Sequence, residues 1–176
     1  PFAHTYSIVA YDSVTGDIGV AVQSHWFSVG TVVAWAEAGV GAVATQSFSN
    51  PAFGPQGLAL MKTGLNAEQT LKALIESDEG RDYRQLGVID ANGLAKSHTG
   101  AKNIVEAGHH VGKYYAVQAN MMKKSTVWPA MAKAFENTSG TLAERMLAAL
   151  EAAQGEGGDI RGKQSAALLV VSGKST

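Results

Sequence analysis

The sequence predicts an α+β fold in which two stacked, mainly antiparallel sheets carry helices on both outer faces, within a single domain spanning residues 1–176. Three observations lead there. Runs rich in β-branched and apolar residues occur in adjacent pairs joined by short turns, as antiparallel hairpins require. Helical patterns occur in two blocks, each after a group of strands rather than after every strand, which disfavours a doubly wound parallel sheet. The near-continuous apolar character of residues 29–47 implies strands covered on both faces.

Each element has a local reason. Residues 5–12 and 17–25 are strand-like and flank Ser13, Val14, Thr15 and Gly16, which supply turn chemistry. With Asp12 facing Asp17, the antiparallel register sets Thr5 opposite Ser24, side chains ~5 Å apart, and His4 opposite His25. Residues 29–37, 38–41 and 42–47 read as strand, turn and strand. Pro55 suits the first position of a helix running through Leu58, Leu60 and Met61 to Gly64. Asn66 is an N-cap for a second helix with a stripe of Leu71, Leu74 and Ile75, ending before Glu79 and Gly80. Residues 84–90 and 94–98 form another hairpin around Asn92 and Gly93, and residues 114–120 form a strand. Helical pattern returns over 127–136, then from Thr141 to Gln154 with Glu144 completing a capping box. The last element is a strand over 165–171.

Composition excludes several function classes. A formal net charge of −1 with intermixed signs offers no electrostatic footprint for nucleic acid. The chain holds no cysteine, which removes disulfides, thiol nucleophiles and thiolate-bound metal. His109 and His110 lack carboxylates at ligand spacing, so no metal is expected. Residues 155–162 are glycine-rich, yet lack the Gly-Lys-Ser/Thr step of a phosphate loop, and no cofactor is expected. No apolar run reaches the length of a membrane span and no basic-then-apolar leader opens the chain. The expectation is a soluble cytoplasmic protein. Trp26, Phe27, Trp35, Tyr114, Tyr115 and Trp128 exceed what the helical core needs, and they favour a homo-oligomer, a dimer or larger.

Several blocks then carry a resemblance: Thr5-Tyr-Ser-Ile-Val-Ala10, Gly19-Val-Ala-Val-Gln-Ser-His25, Asn50-Pro-Ala-Phe-Gly54, His98-Thr-Gly100, Ala119-Asn120 and Gly157-Gly-Asp-Ile-Arg161. Together with Thr45 and Gln46 at the end of a buried strand, they resemble domain of unknown function family 1028, over nearly the whole chain from Thr5 to Val171. That family is similar to the N-terminal nucleophile (Ntn) hydrolases. The resemblance implies a four-layer α/β/β/α sandwich and cleavage of an amide or peptide-like bond. It also implies that Thr5 is the nucleophile, its own α-amine serving as base. Pro1, Phe2, Ala3 and His4 precede Thr5, so this chemistry requires their removal. Pro1 as a catalytic base is a further option, although nothing else in the chain supports it.

The remaining candidates follow from residue chemistry. His25 suits a general base or an orienting group, and Asn120 and Asn50 suit hydrogen bonding to an oxyanion. Ser24 shares the expected sheet face with Thr5. Thr45 and Gln46 place polar groups at the end of a buried strand, and Thr99 offers a polar hairpin end. Arg161 carries a planar donor fork suited to a carboxylate. Each has a structural alternative: Asn50, directly before Pro51, fits a turn, and Arg161 fits an internal pair with Asp159. A small-molecule or peptide-like ligand is the expected partner, bound catalytically or by a non-catalytic domain of the same fold.

Overall fold

The computed structural model describes the backbone of Phe2–Ala3 and residues 5–174. Pro1 and His4, and hence the expected pairing of His4 with His25, lie outside the described residues. In chain order the elements are β1 (Phe2–Ala3), β2 (Thr5–Tyr11), β3 (Ile18–Ser24), α1 (Gly30–Val33), β4 (Ala34–Glu37), β5 (Gly41–Phe48), α2 (Phe53–Lys62) and α3 (Ala67–Glu76). They continue with β6 (Arg84–Asp90), β7 (Ala95–Thr99), β8 (Gly108–Gly112), β9 (Tyr115–Ala119), α4 (Val127–Asn137), α5 (Leu142–Gly155) and β10 (Ser165–Val171).

Among the described residues the strands form two sheets, antiparallel throughout. One has the order β1-β5-β6-β7, with β4 also paired to β5, and the other has the order β10-β3-β2-β9-β8. Helices α2 and α3 cover the outer face of the first sheet, and α4 and α5 cover the second. The result is a four-layer α/β/β/α sandwich. The β2–β3 register is the one the short turn requires: Asp12 N–H donates to Asp17 O at 2.9 Å, and Thr5 pairs with Ser24.

Strand alternation divides the side chains between layers. On β2, Tyr6, Ile8 and Ala10 point toward α4 and α5 and join Met131, Phe135, Met146 and Leu150 in one core. The alternate residue Val9 joins Ile18, Val20, Val22, Ala42, Ala44 and Ile89 between the sheets. The two interior faces therefore account for strands that are apolar along their whole length.

Local expectations fail where tertiary packing overrides β propensity. Residues 29–37 form a helical turn, α1, before the short strand β4. Ser28 takes a left-handed φ of 51°, Val29 N–H is held by Ser165 Oγ at 3.0 Å, and Val33 N–H closes on Val29 O at 2.9 Å, which drives Val29 and Val33 into the inter-sheet core. Helix α2 starts two residues before Pro55, since burial of Phe53 draws it into the first turn. Strand β8 has no apolar alternation to announce it and exists through its pairing with β9. The caps are as expected: Asn66 with Gln69 and Thr141 with Glu144 both form reciprocal capping boxes.

The aromatic residues divide in the same way. Tyr115 is core, its ring 4.7 Å from that of Phe135, whereas Phe27 is 78% exposed. Because Asn66 Oδ1 accepts the Gln69 N–H at 2.9 Å, Asn66→Ala is expected to destabilise the fold by about 1 kcal/mol. A shifted urea midpoint with an unchanged slope would register this loss.

Candidate functional site

One end of the inter-sheet layer is polar. Thr5 and Ser7 on β2, Ser24 at the end of β3, Gln46 on β5, Gln85 on β6, and Gln118 with Asn120 at the end of β9 are all buried there. The strand period explains the gathering. Positions two apart share a face, so Thr5 and Ser7 lie together, as do Gln118 and Asn120, in continuation of the same face that carries Val9 and Ala116.

Gln85 is the hub. Its Oε1 accepts from Gln46 Nε2 at 2.8 Å and from Asn120 Nδ2 at 2.9 Å. Its Nε2 donates to Thr99 Oγ1 at 2.9 Å, Ala119 O at 2.9 Å and Gly108 O at 3.1 Å. Gln46 also reaches across the sandwich, its Nε2 donating to the backbone oxygens of Thr5 and Gln118 at 3.3 Å, while its Oε1 accepts from Ser7 Oγ at 2.5 Å. Ser7 Oγ in turn accepts from Gln118 Nε2 at 2.7 Å. Gly87 makes room for this: a Cβ there would sit 2.4 Å from Gln118 Oε1.

Thr5 opens β2 in this cluster, fully buried, its Oγ1 donating to Ser24 Oγ at 3.2 Å. Asn120 holds the Thr5 carbonyl from two sides, through its backbone N–H at 3.0 Å and Nδ2 at 3.4 Å. Asn120 Oδ1 is buried with no hydrogen-bond partner among the described residues. It is an open acceptor within hydrogen-bonded surroundings. His25 lies half-buried one residue beyond Ser24, and its Nδ1 has no partner among the described residues. The backbone of β1 pairs with β5 at Ser47 and Phe48, next to this end of the sandwich.

The network continues outward to Thr99, whose hydroxyl shares a 2.8 Å hydrogen bond with His109 Nδ1. Thr99 Oγ1 already accepts from Gln85, which leaves its single proton for the imidazole nitrogen. Desolvation chiefly, with His98 and His110 adding repulsion, holds the His109 pKa below the ordinary imidazole value. A cleft of about 440 Å³ opens beside this pair, lined by Asn103, Val105, Gly108 and Trp128 among others. A second cleft, of about 320 Å³, sits at the opposite end near Asp90. Backbone N–H groups of Ala67, Asn92 and Leu94 occupy the Asp90 carboxylate there, so it organises turns.

The expected site residues thus divide. Thr5, Ser24, Gln46, Asn120 and Thr99 belong to one hydrogen-bonded region. Thr45 faces the opposite side of β5, its hydroxyl donating to Asn50 O at 3.2 Å, and Asn50 Oδ1 accepts from Ala52 N–H at 3.2 Å, so these two shape the entry to α2. Arg161 forks onto the buried carboxylate of Asp159 at 2.8 and 3.1 Å. Sequence reasoning missed Ser7, Gln85 and Gln118. The available signal was period 2: polar residues recur on one face at one end of strands that are otherwise apolar.

Two outcomes follow from this geometry. Replacing Gln85 by Leu would remove the acceptor shared by Gln46 and Asn120 and the buried donor to Thr99, Ala119 and Gly108, and is expected to cost about 3 kcal/mol in chemical denaturation. For His109, a depressed folded pKa means that the unfolded chain binds the extra proton first. Stability is therefore expected to fall as pH drops below about 6.5 toward the folded value. That part of the pH slope should vanish in His109→Asn, with the His109 titration itself read by NMR.

The family described as "Family of unknown function (DUF1028)" matches residues 5–176. No curated protein matches significantly. Among solved structures, the chain is similar to the crystal structure of protein SPO2555 from Silicibacter pomeroyi, itself of family DUF1028. The identity is 33% and the TM-score 0.89, over 96% of this chain and 76% of that one. Match and fold agree over almost the entire length, and the chain belongs to the DUF1028 family.

Proposed function

We infer that this protein is a latent amidohydrolase of the N-terminal nucleophile kind, with Thr5 as the nucleophile for an amide or peptide-like bond. The observation that carries the reading is the hydroxyl of Thr5 set against Ser24 inside a buried polar cluster, at the start of a central strand. With His4 attached, the Thr5 nitrogen is an amide and not a base. Removal of the residues before Thr5 would leave an amine that takes the Oγ1 proton as the oxygen attacks the substrate carbonyl. Asn120 Nδ2, which donates to the Thr5 carbonyl at 3.4 Å, is the donor we assign to the resulting oxyanion, and the leaving amine departs with the proton held by the α-amine. Water then hydrolyses the Thr5 ester. Ser24, Gln46 and His25 serve as polar groups around the substrate, and Thr99 as one toward the open cleft.

A second reading is a non-catalytic ligand-binding domain. The observation in its favour is that the cleft beside Thr99 and His109 is open in the intact chain, whereas Thr5 is fully buried.

Covalent labelling with a β-lactone separates the two without a known substrate. A chain trimmed to begin at Thr5 is expected to gain one acyl group at Thr5 by mass spectrometry, at least about 100-fold faster than the intact chain, in line with the contribution of a positioned base. Thr5→Ala in the trimmed chain should abolish the adduct, and Thr5→Ser should retain part of it. Equal labelling of the trimmed wild type and its Thr5→Ala variant would overturn the nucleophile and leave the binding reading.

A further inference from the structure

We propose that β10 is a self-association edge, through which two copies of the chain join their five-stranded sheets into one continuous ten-stranded sheet across a twofold axis. Strand β10 pairs along its full length with β3 on one side. Its other side is the rim of the sheet, and no described group hydrogen-bonds to the backbone of residues 165–171 from there. Such a row of open N–H and C=O groups is a template for another strand. Natural edges are blunted by lysine, proline, bulges or inward-pointing charge, and Ser165–Val171 contains none of these. It is apolar after Ser165, and Leu168 and Leu169 are 42% and 39% exposed on opposite faces of the strand. Helix α5, which packs across this strand, exposes Leu147 as well.

The order of residues identifies the occupant as a second copy. Along the strand the side chains grade from small to large: Ser165, Ala166 and Ala167, then Leu168, then Leu169, Val170 and Val171. Antiparallel pairing of two identical strands about Leu168 is the register that uses all seven residues. It sets Leu169 against Ala167, Val170 against Ala166 and Val171 against Ser165, so each large side chain meets a small one while Leu168 meets its twin. An isologous contact of this kind closes at two chains and cannot propagate into fibres.

The absence of cysteine in the chain makes a direct test clean. The full chain is expected to sediment at twice the chain mass at micromolar concentration. Leu168→Lys, which sets two ammonium groups against each other at the axis, should halve that mass while far-UV circular dichroism stays unchanged. Leu168→Cys should give a disulfide-linked dimer on mild oxidation, since directly opposed residues lie ~4.5–5.5 Å apart between Cα atoms, within disulfide reach. Val14→Cys, 91% exposed in the β2–β3 turn, should remain uncrosslinked. A monomeric wild type, a dimer that survives Leu168→Lys, or a dimer that fails to crosslink through Cys at 168 would each overturn the proposal. The crosslinking result decides the matter if Leu168→Lys does not fold.

Discussion

The two sheets meet at one end through four buried amide side chains, Gln46, Gln85, Gln118 and Asn120, and the rest of that end is arranged around satisfying them. Buried amides without partners would each cost ~1–3 kcal/mol, so their geometry is constrained far more than that of apolar neighbours. Gln46 bridges the sheets by donating to carbonyls of β2 and β9, and Gln85 bridges them by accepting from Asn120 and donating to Ala119 O. Any slip of one sheet over the other would break several of these bonds at once. An apolar layer alone would tolerate such a slip more readily, since dispersion contacts are non-directional.

The inter-sheet space is therefore split by function as well as by polarity. Val9, Val20, Val22, Ala44 and Ile89 supply hydrophobic cohesion at one end. The other end stores polar groups that contribute little net stability and are held in fixed positions, the condition a reactive or binding site needs. Thr5 sits in that polar end with its hydroxyl on Ser24 and its carbonyl on Asn120. Its burial and its acylated nitrogen are the reasons the proposed activity is called latent. The chain from Thr5 to His109, through Asn120, Gln85 and Thr99, links the buried Thr5 carbonyl to the open cleft by direct contacts.

Much of the architecture was legible because its causes are local. A four-residue turn and a period of two determine that Thr5 faces Ser24, and the capping boxes at Asn66 and Thr141 depend on residues three apart. Part of the candidate site was legible for the same reason, since Thr5, Ser24, Gln46, Thr99 and Asn120 all lie at or near strand ends. Thr45 was placed beside Gln46 in sequence, yet neighbouring strand residues point to opposite faces, so Thr45 serves the α2 entry.

The sequence by itself determined the fold class, the β2–β3 register and the capped starts of α3 and α5, each of which rests on chemistry within a few residues. Only the tertiary structure decided which polar residues meet: Gln46 and Gln85 are 39 positions apart, Gln85 and Asn120 are 35 apart, and Thr5 and Asn120 are 115 apart. It also decided that residues 30–33 coil into a helical turn and that Thr5 is buried. These outcomes depend on how the two sheets stack, and stacking is set by the summed packing and hydrogen bonding of distant strands, which no local pattern contains.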